Sequence, residues 1–180
     1  MKYILILLIS FNLYAISIGE LLSLYEKKEY KQACLIGTQS LYKETKNEKF
    51  LSLYAFSCLY SGYIDRLATP IALLKSSPES RANSAYFAVI LMQKKLLYHS
   101  LVDGYNLKEL ALPSTEYILS KVFDFYIKVS DKKRKSSYTF KDQKDSNRTY
   151  KLYLFKENSI QKMVIEELYN NNIVKKYIYW

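Results

Sequence analysis

The chain has 180 residues, 49% of them apolar and 24% charged, and carries a formal net charge of +10. That balance excludes wholesale disorder, and seven glycines and prolines in total exclude collagen-like or low-complexity chains. One histidine and two cysteines leave no inventory for a Cys/His zinc site.

The charge is uneven: +3 over residues 1–120 and +7 over residues 121–180. A basic end attracts anionic polymers such as nucleic acid or acidic glycan. The 19 tyrosines and the excess of Lys over Arg also fit an A/T-biased coding sequence, so composition alone is weak ground for function.

In chain order, Lys2 precedes an apolar run from Tyr3 to Ile9, interrupted at Ser10 and Asn12 before Leu13-Tyr14-Ala15. The run is too short to span a bilayer, which takes roughly 20 residues, and it matches the apolar region of a secretory leader. Residues 1–15 are read as a signal peptide cut after Ala15, with a cut after Gly19 as the alternative. An uncleaved anchor or a buried first helix is the competing reading. The most apolar later segment, Ala85 to Met92, is stopped by Gln93-Lys94-Lys95, so no stable membrane insertion is expected once the leader is removed. The expected address is the periplasm of a bacterial cell, or beyond it.

Residues 16–121 read as helical. Leu21, Leu24 and Tyr25 form one helix face, and the chain turns at Lys28-Glu29. A second stripe then carries Ala33, Gly37 and Ser40, small enough for close helix approach. Lys28, Tyr30 and Ala33 have counterparts at Gly62, Ile64 and Leu67, 34 residues on, and at Lys95, Leu97 and Ser100, a further 33 on. This spacing predicts about three helix–turn–helix units, none able to bury its own apolar face. Gly62 suits a helix end, Pro70 forces its helix to start late or kink, and Pro78-Glu79 opens the third unit.

The segment YEKKEYKQACLIGTQSL, with Tyr30 at the aromatic and Ala33 at the small position, resembles the junction between the two helices of a tetratricopeptide repeat. The resemblance covers roughly residues 20–104, lacks the early Trp, and degrades after Leu97. It implies an α-solenoid that binds other proteins and has no catalytic residues of its own. Lys31, Gln32, Gln39, Arg66 and Lys94 read as polar positions among the stripes.

Cys34 and Cys58, with 23 residues between them, are the only possible disulfide pair. Closing such a loop is worth roughly 3 kcal/mol in the chain-entropy model. Two buried thiols acting as small apolar side chains are the other reading.

Residues 122–180 read as a small antiparallel β domain. A short helix at Glu116–Lys121 is expected to run into a strand at Val122, where Phe123, Phe125, Ile127 and Val129 alternate with polar residues. Strands at 136–142, 150–155, 159–168 and 173–180 follow, making a meander of four or five. Trp180 is expected to pack at the sheet edge. The fold class is therefore α+β, helical hairpins followed by a sheet.

Lys132, Lys133, Arg134 and Lys135 form the sharpest basic cluster, a candidate anion site with Tyr138, Phe140 and Tyr150 as stacking platforms; a solvated turn is the plainer reading. An enzyme fits poorly. There is no phosphate-cradling loop or nucleophile elbow, His99 stands alone, and Glu166 and Glu167, adjacent on a strand, point to opposite faces. No cofactor or metal is expected. The expected function is that of an exported, non-catalytic scaffold or accessory factor of a cell-envelope machine, its hairpins docking another protein and its sheet capping the stack or offering an edge. The alternative is a binder of an anionic polymer, DNA or acidic glycan, through the basic C-terminal region.

Overall fold

A computed structural model describes residues 17–129 and 135–180. It is α+β: helices through residue 127, then a four-stranded antiparallel sheet. The leader, residues 1–15, and Lys132, Lys133 and Arg134 lie outside the described residues.

Helices α1 (Ile18–Glu26) and α2 (Tyr30–Ser40) form a hairpin. Ser17 caps α1, its hydroxyl accepting from the Glu20 N–H at 3.2 Å. The turn is a Schellman motif, with Glu29 N–H donating to Leu24 O and Lys28 N–H to Tyr25 O, both at 2.9 Å. Lys28 takes the left-handed φ of 61° that this motif demands. Helix α3 (Glu48–Tyr60) ends in the same way, Tyr63 N–H reaching Cys58 O and Gly62 N–H reaching Leu59 O, now with a glycine at φ 83°. A 3-10 turn (Ile64–Leu67) then leads into the short helix α4 (Ala68–Leu73), which places Pro70 in its first turn, where no intrahelical N–H is lost.

The third hairpin expected from the spacing does not form. Helix α5 (Pro78–Asp103) runs unbroken for 26 residues through Gln93-Lys94-Lys95. Those residues are strong helix formers and include no glycine to take a left-handed turn. Buried Gln93 and Lys94 also find partners without breaking the helix: Gln93 donates to Pro113 O at 3.1 Å, and Lys94 pairs with Asp65. The helix opens on Ser77, capping the Ser80 N–H, and closes on Gly104 at φ 79°.

The expected strand at Val122 is also overturned. Helix α6 (Ile118–Ile127) occupies that stretch, with Ile118, Leu119, Val122, Phe123 and Tyr126 buried. Both periods can be drawn through these residues, and burial on a helical stripe against α5 and β1 decides between them. A domain boundary at 121/122 falls inside this helix.

The sheet is a meander in the order β1 (Ser137–Lys141), β2 (Arg148–Glu157), β3 (Ile160–Tyr169), β4 (Asn172–Tyr179). Two-residue turns at Asn158-Ser159 and Asn170-Asn171 have both residues at positive φ, the geometry whose twist matches tight hairpins. Tyr138, Tyr150, Leu152, Met163, Ile165 and Tyr179 face the helices, and one continuous core joins them to α1, α3, α5 and α6. Glu167 pairs with Lys175 but Leu168 pairs with Ile173, leaving Val174 as a bulge in the edge strand β4.

Candidate functional site

A groove of about 840 Å³ lies where α1, α3 and the start of α5 come side by side. Helix α1 contributes Ile18, Leu22 and Tyr25; α3 contributes Leu53 and Phe56. Ile18 is 38% and Leu22 45% exposed, although both sit on a helix whose inner side buries Leu21 completely. Lys46 and Lys49 stand on one rim and Glu79 on another, while Asn83 donates to Ser52 Oγ at 3.2 Å across it. Glu48 fixes the wall. Its carboxylate accepts the backbone N–H groups of Lys75, Ser76 and Ser77 at 3.0, 2.6 and 3.1 Å and so ties the α4–α5 connection to α3. The bond from Ser76 is the main reason the Glu48 carboxyl is held down to about 2.

Aromatic rings lead out of this groove. Tyr25 meets Tyr30 at 5.3 Å between centroids, Tyr30 meets Tyr60 at 5.0 Å, and Phe56 joins Tyr60 at 6.1 Å to Tyr86 at 6.3 Å. They end at a second cleft, about 440 Å³, between the helices and the sheet. Six tyrosines line it: Tyr30, Tyr60, Tyr86, Tyr117, Tyr150 and Tyr177. Biased coding spreads a residue along a chain; it does not gather six tyrosines from α2, α3, α5, the α6 cap, β2 and β4. Burial pushes the Tyr117 phenol up to about 12, and burial, then Glu167, pushes Tyr177 up further. These phenols stay protonated and act as donors: Tyr117 to Leu59 O at 3.1 Å, Tyr177 to Glu167 Oε2 at 3.4 Å.

The residues singled out by sequence fall as follows. Cys34 and Cys58 are joined by a disulfide that ties α2 to α3, both fully buried. Lys135 is exposed, and its backbone N–H donates to Tyr138 Oη at 3.2 Å. Tyr138 and Tyr150 are not stacking platforms: they are 7% and 1% exposed, and Phe140 stacks on Phe125 beneath the sheet. The alternation of β1 and β2 turns these rings inward. Lys31, Gln32 and Gln39 are exposed, whereas Arg66 is bound to Thr38 Oγ1 at 3.0 Å and lies over the Tyr63 ring. Lys94, read as a polar position among the stripes, is buried beside Asp65. His99 is exposed, paired with Asp103 at 2.7 Å and stacked on Tyr105. Glu166 and Glu167 do face opposite ways, Glu166 to Tyr153 and Lys176, Glu167 to Arg148 and Tyr177. Trp180 is 54% exposed, with the Lys162 ammonium 4.8 Å from its ring.

Two further features bear on binding. A cleft of about 620 Å³ between α6 and the β1–β2 turn gathers Lys121, Lys128, Lys144 and Arg148, but Asp124, Asp142 and Asp145 line it too. The free edge of β4 carries Lys175, Lys176 and the Val174 bulge, features that keep edge strands from pairing. Among the described residues no group of acidic, His or Cys side chains is arranged to hold a metal, and no helix is long and apolar enough to cross a membrane. Comparison with protein-family models, curated proteins and solved structures finds no match for this chain.

Proposed function

We propose that this chain is an exported, non-catalytic binding protein whose helical groove docks an extended segment of a partner protein, in the role of an assembly or accessory factor of the cell envelope. The observation that carries the reading is the continuity of the groove. Its exposed Ile18 and Leu22 connect through touching rings to the exposed Tyr60 and the tyrosine cleft, an apolar track open to solvent.

Export is supported by the leader-like residues 1–15 and by the disulfide, a bond that persists in oxidising compartments. A cut after Ala15 leaves the Ser17 cap and all of α1 in place; a cut after Gly19 removes the cap and the first two residues of the helix. The anionic-polymer reading has less behind it, since the described basic side chains near α6 share their cleft with three aspartates.

The test is capture from an envelope extract by residues 16–180, comparing the wild-type chain with Leu22→Asp and Tyr60→Ala. Both substitutions should remove the same captured species, and capture should change little between about 50 and 200 mM salt. Capture that ignores both substitutions but falls steeply with salt supports the polyanion reading instead.

A further inference from the structure

We propose that the outer face of the sheet seats the protein on an anionic bilayer surface, with its apolar end at the acyl boundary and its lysines among the headgroups. The groove between α1, α3 and α5 takes no part in this, so the two readings stand or fall separately.

Strand alternation defines the face. Tyr150, Leu152, Met163, Ile165 and Tyr179 turn inward to the helices, so the residues between them turn outward. One end of the outer face carries Phe155, Ile160, Ile178 and Trp180, between 40 and 54% exposed. They come from the tip of the β2–β3 hairpin and from the end of β4 with the residue after it. Val164, in register with Tyr153 and Ile178, is 1% exposed although it stands apart from the core. These side chains cover one another and make a patch, not a scatter of single residues.

The lysines follow in order along the strands. Lys151 and Lys176 flank Glu166 in the row next to Ile178, and Lys141 lies one row further. Outward rows are about 7 Å apart. The polar headgroup layer on each side of a bilayer is roughly 5–7 Å thick. The carboxylates of this face are engaged, Glu157 with Lys162 and Glu166 with Lys176. Lys141 and Lys151 have no carboxylate partner among the described residues, so the face carries surplus positive charge.

That charge and its placement select the occupant. A second copy brings four more lysines and no unengaged carboxylate. Single-stranded nucleic acid leaves Ile160 and Ile178 against water. Its bases also meet ammonium groups already set over the rings: Lys151 and Lys176 at 5.5 and 5.9 Å from Tyr153, Lys162 at 4.8 Å from Trp180. An acidic protein needs no layered order of apolar end and lysine row, whereas an anionic bilayer imposes one. Tryptophan at the boundary and lysine at the anionic surface are the side chains such an interface favours.

The experiment mixes residues 16–180 with vesicles of phosphatidylcholine alone and of phosphatidylcholine with phosphatidylglycerol. Cosedimentation should show binding about tenfold or more tighter to the anionic vesicles, weakening as salt rises. Trp180 is the only tryptophan of the chain, so its emission reports on this face directly. The emission should move to shorter wavelength on anionic vesicles and be quenched by lipids brominated near the headgroup end of the acyl chain. Lys151→Gln should weaken binding about fivefold. Phe155→Ser combined with Ile160→Ser should weaken it about tenfold. Lys31→Gln, which removes an exposed lysine from α2, should leave binding within about twofold. Circular dichroism checks that each variant is folded. Trp180 emission unchanged by anionic vesicles, equal losses for Lys151→Gln and Lys31→Gln, or tighter binding to oligothymidine or polyglutamate than to the vesicles overturns the proposal. So does a dimer in sedimentation equilibrium that Phe155→Ser with Ile160→Ser dissociates, which would give the face to a second copy.

Discussion

The buried ammonium of Lys94 lies 2.6 Å from Asp65 Oδ2 and also donates to the backbone oxygen of Trp180, so one side chain of α5 holds both the 3-10 turn and the end of the sheet. Burial alone would raise the Asp65 carboxyl, but bonds from Lys94 and Lys95 overcome it and hold the carboxyl below its usual value. For Lys94, burial is the larger influence and lowers its pKa against the pull of Asp65. Removing one partner of a buried pair costs roughly 3–5 kcal/mol, and the 47% exposure of Asp65 reduces that. Asp65→Ala should therefore destabilise by about 2 kcal/mol in urea unfolding, because it leaves Lys94 buried without its carboxylate. Asp65→Ala combined with Lys94→Met should recover most of that loss; a double variant as unstable as the single one contradicts this account.

Gly37 marks a close approach of α2 to α3. A Cβ there would stand 2.8 Å from Cδ2 of Tyr54, a side chain only 1% exposed. Replacing a mid-helix glycine by alanine ordinarily gains about 1 kcal/mol, whereas overpacking a core costs about 1–3 kcal/mol. Gly37→Ala should be destabilising by about 1 kcal/mol. Gly19→Ala, whose nearest neighbour would be 3.9 Å away, should be neutral or mildly stabilising. Thermal unfolding of the two variants reads the difference, and equal shifts of the same sign would remove the steric argument.

The Cys34–Cys58 bond closes a loop with a sequence separation of 24 between two helices that already pack together. Reduction, or the pair Cys34→Ser and Cys58→Ser, should lower stability by about 3 kcal/mol while leaving the helical circular dichroism intact. Unfolding with and without reductant, alongside thiol counting by mass spectrometry, measures the loss. A midpoint insensitive to reductant would show that the bond contributes nothing.

Glu48 gives the chain an acid-sensitive connection. Its carboxyl is depressed from 4.5 to about 2, first by the Ser76 N–H and further by those of Lys75 and Ser77. A group with a lowered folded pKa contributes stability that is complete above the unfolded value and disappears as pH falls through the folded one. The wild-type protein should lose stability between pH 4.5 and about 2 through this group, and Glu48→Gln should flatten that part of the profile. Parallel profiles for the two proteins would dismiss Glu48 as the sensor.

Much of the architecture was readable residue by residue. The turns at Lys28 and Gly62 followed from apolar stripes that stop, and the close contact at Gly37 from small residues on one face. The strands from Ser137 onward followed from runs separated by Asn-rich pairs. At Val122–Ile127 the residues satisfy a period of two and a period of 3.6 equally, and nothing local chooses between them. At Lys95 a recurring spacing predicted a turn in a stretch whose own residues favour continued helix. The tyrosine cleft left no linear signal, because Tyr30, Tyr60, Tyr86, Tyr117, Tyr150 and Tyr177 are scattered through a chain full of tyrosine.

Periodicity, caps and turn residues act over a few neighbours, so the amino-acid order was enough to establish helices first, a meander after, and two of the helix ends. Which side chains are hidden and which meet depends on contacts between elements far apart in the chain. Lys94 looks like any surface lysine until Asp65 and the end of β4 close over it. The groove exists only once α1, α3 and α5 lie side by side, and six phenols become one surface only when the sheet folds back against the helices.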